Sequence, residues 1–231
     1  MNIIYQEREH IINSNNTAQH NIESFVETLD KSIQELHIHI ELFGNVDCSF
    51  LNDYKSLKTI IFQQGSLTGL SNLPQSILHV EIKKNLLVEM ETLPQQLRTL
   101  KIEDNYLTFL DVSNLKHLEE LHVTHNKLTD IKLPLSIIDC VLINNNLKQL
   151  DVKDFVKLET LNVSENPLLL LENSSFIKNL TIDENQITPI GASYIDSSTY
   201  IEEAVQAITY KEALNKYLAL KTKYENKCKK E

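Results

Sequence analysis

Two histidines that alternate along a short apolar segment are the residues best placed to do chemistry in this chain. His37 and His39 are two residues apart, so on an extended strand both imidazoles project from one face, as two ligands of a metal ion would. Protein zinc sites normally use three or four protein ligands, and no obvious third ligand accompanies this pair. The sequence therefore favours solvation or contact with a partner for these histidines, and it predicts no metal ion.

Catalytic motifs are not recognisable elsewhere in the sequence. Ser, His and Asp are all present, but there is no nucleophile elbow, no phosphate-binding loop and no zinc-protease motif. We therefore predict that the protein is not an enzyme and holds no cofactor.

The elements that position side chains in this chain come from a repeat. Seven segments carry aliphatic or other apolar residues at their first, fourth, sixth and eleventh positions, and they begin at residues 57, 77, 97, 118, 137, 158 and 177. The ninth position is Gly65 in the first segment. In the other six it is Asn85, Asn105, Asn126, Asn145, Asn166 and Asn185. A period of about 20 residues indicates a solenoid, in which each repeat packs only on its neighbours.

The repeat resembles that of leucine-rich repeat proteins over about residues 33 to 190. The resemblance implies an α/β solenoid with a parallel β-sheet on the concave face and short, non-helical convex returns. It also implies that the asparagines form a ladder that satisfies backbone groups inside the turns. The Leu-Pro pairs at Leu73, Leu93 and Leu133 resemble the short repeats of bacterial effectors and of similar proteins of large DNA viruses.

The segments outside the repeats have helical spacing. Residues 1–32 are predicted to be a helical N-terminal cap, with a helix from Ile22 to Leu29 after Asn21 as its N-cap. The solenoid spans 33–190 and starts with a degenerate copy that runs on as an irregular stretch to Tyr54. Residues 191–231 are predicted to be a linker and a C-terminal helical cap or tail, with a capping box at Thr199.

Composition limits the partners and the compartment. The formal net charge of −10 argues against nucleic acid, which requires a basic patch. No apolar run is long enough to span a bilayer, and the first residues lack the apolar stretch of a secretory signal. The three cysteines are scattered rather than clustered. We therefore expect a cytoplasmic protein, in the host cytoplasm or virion if viral. Abundant Lys, Asn and Ile indicate an AT-rich genome.

The outward-facing residues of the strands define a candidate partner-binding surface. The first column of these residues is predicted to be His37, Ile61, Glu81, Lys101, His122, Val141, Asn162 and Thr181, and the second to be His39, Gln63, Lys83, Glu103, Thr124, Ile143, Ser164 and Asp183. Within the columns we expect Glu81 to pair with Lys101 and Lys83 with Glu103. The predicted contact residues are His122, Thr124, Val141, Ile143 and Asn162, with an acidic region formed by Asp139, Glu165, Asp183 and Glu184.

Three functions remain open at this point. The first is a non-enzymatic scaffold that binds a protein partner on its concave face. The second is a structural component of a virion or other assembly, packed through its convex side and ends. The third is a host-directed effector of an intracellular bacterium. The sequence names neither the partner nor the oligomeric state.

Overall fold

The computed structural model describes residues 18–38, 43–90, 92–168, 170–172, 174 and 176–183, and its main feature is one eight-stranded parallel sheet. With all strands numbered in chain order, the sheet contains, from one edge to the other, β1 (Glu35–Ile38), β3 (Thr59–Gln63), β5 (His79–Lys83), β6 (Thr99–Glu103), β8 (Glu120–Thr124), β10 (Asp139–Val141), β12 (Thr160–Asn162) and β14 (Asn179–Thr181). Each strand is the neighbour of the strand from the preceding repeat, which is the arrangement of a solenoid.

The strands form because their apolar residues alternate with polar ones. In β5, for example, Val80 and Ile82 are buried while His79, Glu81 and Lys83 are partly exposed. The parallel register aligns the buried residues of neighbouring strands, so Ile60, Val80 and Leu100 lie side by side in one core. Burial of each such side chain stabilises the fold by about 1.5 to 3 kcal/mol. The core therefore runs the length of the sheet behind its concave face.

Among the described residues, the return segments on the opposite side contain no α-helix. They contain three pairs of short parallel strands, namely β2 (Phe43–Asp47) with β4 (Ser66–Ser71), β7 (Phe109–Asp111) with β9 (Asp130–Lys132), and β11 (Gln149–Asp151) with β13 (Leu170–Glu172). After each Leu-Pro pair a tight turn brings the chain back to the sheet, as where the Ile77 amide donates to the Pro74 carbonyl over 3.1 Å. The predicted fold class, a leucine-rich-repeat solenoid with a concave parallel sheet, is confirmed.

The stretch that precedes Tyr54 is more regular than the sequence suggested. It contains β2 and a 3₁₀ helix, Cys48–Asp53, and it buries Val46, Cys48 and Leu51. The prediction of an irregular stretch was wrong because Gly44 and Asn45 have low strand propensity, yet pairing with β4 holds them in the sheet with a register shift between them.

The N-terminal helix α1 spans Ala18–Val26, so the predicted bounds were wrong at both ends. Asn21 lies inside the helix rather than at its N-cap. At the end of the helix, the Val26 carbonyl accepts hydrogen bonds from the Tyr54 hydroxyl at 2.5 Å and from the Leu29 amide at 2.9 Å. Its Gln19 side chain bonds both backbone groups of Asp47 in β2. The helix is therefore tied to the return side of the solenoid.

Two predictions lie outside the described residues. They are the structure of residues 1–17 and the C-terminal helical segment within 191–231, including the capping box at Thr199. In the part of the chain that the structure describes, none of the helices has the length and apolar composition needed to cross a membrane.

Candidate functional site on the concave face

Five asparagines occupy the turns at the end of the sheet strands, and all are buried. They are Asn85, Asn105, Asn126, Asn145 and Asn166. Asn126 shows their role, since its Oδ1 accepts from the Leu107 amide at 3.1 Å and its Nδ2 donates to the carbonyls of Ile102 and Thr124 at 3.0 and 2.8 Å. Leu107 and Ile102 belong to the preceding repeat, so each side chain of this kind joins two repeats through backbone groups. Asn185 lies outside the described residues.

The residue before each turn position has a left-handed backbone, a feature that the repeat pattern did not reveal. The residues concerned are Gln64, Lys84, Asp104, His125, Asn144 and Glu165, with φ between 51° and 56°. Asn and Asp adopt this region with least strain, whereas Lys, Gln and Glu do so less readily. Enrichment of Asp104, His125 and Asn144 at one repeat position was the only sequence signal available for it.

The first predicted outward column matches the strand register across all eight strands, and the second matches it from Gln63 to Thr124. His122 aligns with Val141, and Val141 aligns with Asn162, so these three contact candidates lie on adjacent strands β8, β10 and β12. Thr124 is the last residue of β8, and Ile143 follows β10 in the chain. All five side chains are partly exposed. The structure thus brings together on one surface the residues that the sequence singled out.

The side chains of these five residues differ in how they are engaged. Asn162 Oδ1 accepts from the Ser164 amide at 3.1 Å and from the Ser164 hydroxyl at 2.8 Å, so part of its amide is used within its own turn. Val141 and Ile143 offer only apolar atoms to solvent. The apolar pair is therefore the part of this surface whose burial by a partner would require no hydrogen bonds to be replaced.

A third outward column was missed. It consists of the first residues of the sheet strands, Glu35, Thr59, His79, Thr99, Glu120, Asp139, Thr160 and Asn179. The repeat pattern treats this position as one of two variable residues between aliphatics. Only the strand bounds show that it belongs to the sheet and faces the concave side.

The third column changes the expected ion pairs. Lys101 Nζ lies 2.6 Å from Glu120 Oε1, so Lys101 pairs with the third column rather than with Glu81. Glu81 pairs instead with Lys83 on its own strand, at 3.1 Å. The predicted pair of Glu81 with Lys101 is therefore wrong, although the two residues are register neighbours. The pair of Lys83 with Glu103 is present at 3.3 Å.

His122 lies between two carboxylates. Its Nε2 is 3.3 Å from Asp139 Oδ2 and 3.5 Å from Glu120 Oε1. Burial raises the pKa of the Glu120 carboxyl, but Lys101, His122 and a hydrogen bond from Thr99 outweigh burial and hold that pKa below its usual value. The ligand atoms of Glu120, His122 and Asp139 all lie within 4.8 Å of one another, and among the described residues these three form the group that could hold a metal ion.

Of the two histidines of the first predicted strand, His37 lies within the described residues. His37 Nε2 lies 2.7 Å from Glu35 Oε1 on the same strand, and His39 is outside the described residues. The predicted acidic region is partly tied up in local bonds. Asp183 Oδ2 accepts from the Glu165 amide at 2.6 Å, and Glu165 Oε2 accepts from the Asn144 side chain at 2.7 Å. Glu184 lies outside the described residues.

Comparison with known proteins finds similarity among solved structures. No protein-family model matches the sequence, and no curated protein matches it. The chain is similar to YopM from Yersinia enterocolitica WA-314, with 18% sequence identity and a TM-score of 0.44 over 67% of this chain. The matched region covers 43% of YopM, so the similarity concerns less than half of that protein.

Proposed function

We propose that this chain is a non-enzymatic scaffold that binds a partner protein on its concave face. The observation that carries the proposal is the pair of β-branched side chains, Val141 and Ile143, partly exposed between the polar residues His122, Thr124 and Asn162. Apolar centres with polar rims are typical of protein interfaces, and a few central residues supply most of the binding free energy.

The scaffold beneath the pair favours this use. The strands that carry the contact residues are held in parallel register, and the buried asparagines join successive repeats. A surface that is already ordered loses little conformational entropy when a partner binds, which increases affinity. The formal charge of −10 and the carboxylates of Glu120 and Asp139 beside the apolar pair favour a partner with a basic surface.

Affinity capture of the full-length chain from its native source, with identification by mass spectrometry, supplies the partner for the test. Val141→Asp combined with Ile143→Lys places charges in the apolar centre, and we expect it to abolish recovery of the partner. The circular-dichroism spectrum should not change, because both side chains already contact solvent. Recovery at wild-type levels would show that the contact lies elsewhere, and the C-terminal helical segment predicted within 191–231 would become the leading candidate.

A second candidate function, assembly through the return side, is favoured by a separate observation. Leu135 and Val156 are 65% and 80% exposed. Each lies two residues before the start of the next repeat, so they occupy equivalent positions in adjacent repeats. Large exposed apolar side chains at repeated positions are characteristic of surfaces that pack on neighbours. A structural component of a larger assembly would use this side.

The double variants of the two sides are matched controls for each other. Leu135→Asp with Val156→Asp changes two apolar residues on the return side and leaves the concave face intact. A concave-face scaffold predicts that only the Val141 and Ile143 double variant loses its partner. An assembly component predicts that only the return-side variant loses co-purifying proteins, with a fall in sedimentation coefficient. Capture of one host protein that depends on the concave pair would favour the effector alternative over the assembly one.

A further inference from the structure

The cluster of Glu120, His122 and Asp139 lies on two neighbouring strands of the concave face. Glu120 and His122 are two residues apart on β8, so they share its outward side. Asp139 opens β10 and is the register partner of Glu120. Three potential metal ligands therefore come from two adjacent strands whose backbones are fixed by the sheet.

Two of the three spacings between the ligand atoms match those around a tetrahedral zinc ion. Zinc binds nitrogen and oxygen at about 2.0 to 2.2 Å, which places neighbouring ligand atoms of a tetrahedron about 3.3 to 3.6 Å apart. His122 Nε2 lies 3.3 Å from Asp139 Oδ2 and 3.5 Å from Glu120 Oε1. One imidazole and two carboxylates are also ligand types that zinc accepts.

An unsatisfied acceptor lies in the same cluster. Asp139 Oδ1 is buried from solvent and accepts no hydrogen bond. Among the described residues, it is the one buried side-chain nitrogen or oxygen atom without a hydrogen-bond partner. A buried acceptor without a partner is destabilising. A cation bound at Oδ2 would neutralise the charge of the Asp139 carboxylate and so reduce the cost of leaving Oδ1 without a hydrogen-bond donor.

We propose that Glu120, His122 and Asp139 form a binding site for a zinc ion on the concave face, with the fourth coordination position open to solvent. The three side chains are between 28% and 39% exposed, so an ion can enter and the open position can take a water molecule. Zinc sites with three protein ligands keep such a position. The proposal stands independently of partner binding, because it concerns an ion held by this chain alone.

Lys101 supplies an internal test of the site. Its ammonium group lies 2.6 Å from Glu120 Oε1, the same oxygen that faces His122, and it competes with a metal ion for that carboxylate. Removing the competitor should strengthen zinc binding, whereas a cluster that merely balances charges around a histidine would gain no affinity for zinc. Lys101→Gln is therefore expected to bind zinc more tightly than the wild-type chain.

The experiment is calorimetric titration of the full-length chain with zinc chloride, together with the visible absorption spectrum after addition of Co²⁺, which reports tetrahedral coordination. Other histidines and cysteines in the chain can also bind zinc, so the readout is the difference between variants. His122→Gln and Asp139→Asn should each remove one binding equivalent or weaken it by about 10-fold to 100-fold. His37→Gln is the matched control, since His37 also faces a carboxylate of its own strand but is not part of the cluster of Glu120, His122 and Asp139, and it should bind as the wild-type chain does.

Thermal unfolding separates loss of the site from loss of the fold. Zinc should raise the Tm of the wild-type and His37→Gln chains and should raise it less, or not at all, in His122→Gln and Asp139→Asn. The variants themselves should unfold cooperatively without zinc. The proposal is overturned if His122→Gln and Asp139→Asn retain the wild-type stoichiometry and affinity, or if the wild-type chain gives no tetrahedral Co²⁺ spectrum.

Discussion

The turns after the sheet strands carry the same residue in repeat after repeat, whereas the concave face changes residue type at every strand. The five described asparagines are buried and make closely similar backbone hydrogen bonds. The concave columns hold histidines, acids, lysines and aliphatics, and their ion pairs run along and between strands without a common pattern. Local backbone geometry therefore dictates the turn residue, while the concave residues are free to serve recognition.

Burial explains this difference. A buried amide is tolerated only when its donor and acceptor are both satisfied, and the identical turn geometry allows one solution in each repeat. A partly exposed side chain has water as an alternative partner, so no neighbour is obligatory and exposed ion pairs contribute little stability. Substitutions at the two regions should consequently differ in size and kind.

The largest effect is expected from the turn asparagines. Asn126→Ala or Asn145→Ala should lower the free energy of unfolding by about 1 to 3 kcal/mol, because buried backbone groups of two repeats lose their partners. The exposed neighbour Asn146 provides the control, and Asn146→Ala should change the unfolding midpoint little. Thermal or urea unfolding of the three variants measures these changes in stability. Equal midpoints for all three would mean that water replaces the side chain and that burial does not distinguish the two regions.

The left-handed residue before the turn should give the next largest effect. Lys84 is exposed and has φ of 51°, a conformation that a β-branched residue adopts poorly. Lys84→Val should destabilise the protein by about 1 to 2 kcal/mol, whereas Lys84→Gly should be neutral or stabilising. The pair of variants isolates backbone strain from loss of the lysine side chain. If Val and Gly have the same unfolding midpoint, the turn does not constrain this residue.

Exchanging two charges on the concave face should have a smaller effect. The double variant Glu81→Lys, Lys101→Glu places a lysine beside Lys83 and a glutamate beside Glu120, so like charges replace the observed pairs. We expect a loss of up to about 1 kcal/mol that shrinks in high salt. Register neighbours alone would have predicted a neutral exchange. An unchanged unfolding midpoint at low salt would therefore support the pairing of Glu81 with Lys101 that the columns predicted.

The smallest effect on stability is expected when the pH is lowered. The folded-state pKa of Glu120 lies below its usual value of 4.5, so its carboxylate stabilises the folded protein above the unfolded-state pKa and this contribution disappears as the pH falls through the folded-state pKa. At neutral pH, Glu120→Gln should lower the free energy of unfolding by less than about 1 kcal/mol. The difference in Tm between the wild-type and variant chains should narrow below pH 4.5. Lys101→Gln should show a weaker pH dependence than the wild-type chain, since it removes the pairing cation. A difference that widens in acid would contradict the assigned direction.

Much of the fold was accessible from the repeat pattern because the pattern records burial. The aliphatics at 80, 100 and 121 appear in register in the core, and the first outward column was aligned correctly across all eight strands. The predictions from sequence were wrong where burial gives no periodic signal. Phe43–Asp47 forms a strand despite Gly44 and Asn45 because the neighbouring return segment pairs with it. The last residue of α1 is bonded to Tyr54, which lies 28 residues away and which no local pattern connects with the helix.

The amino-acid sequence by itself determined the solenoid, its parallel sheet, the buried aliphatic residues and the first outward column, because a 20-residue period with alternating burial admits few other arrangements. Tertiary structure decided which outward residues work together. Glu120, His122 and Asp139 occupy variable positions of two repeats, and no spacing marks them as a group. They meet because the first residue of each strand also faces the concave side and because parallel register places β10 beside β8. Cooperation between side chains on different strands depends on distances across the sheet, which a linear pattern does not contain.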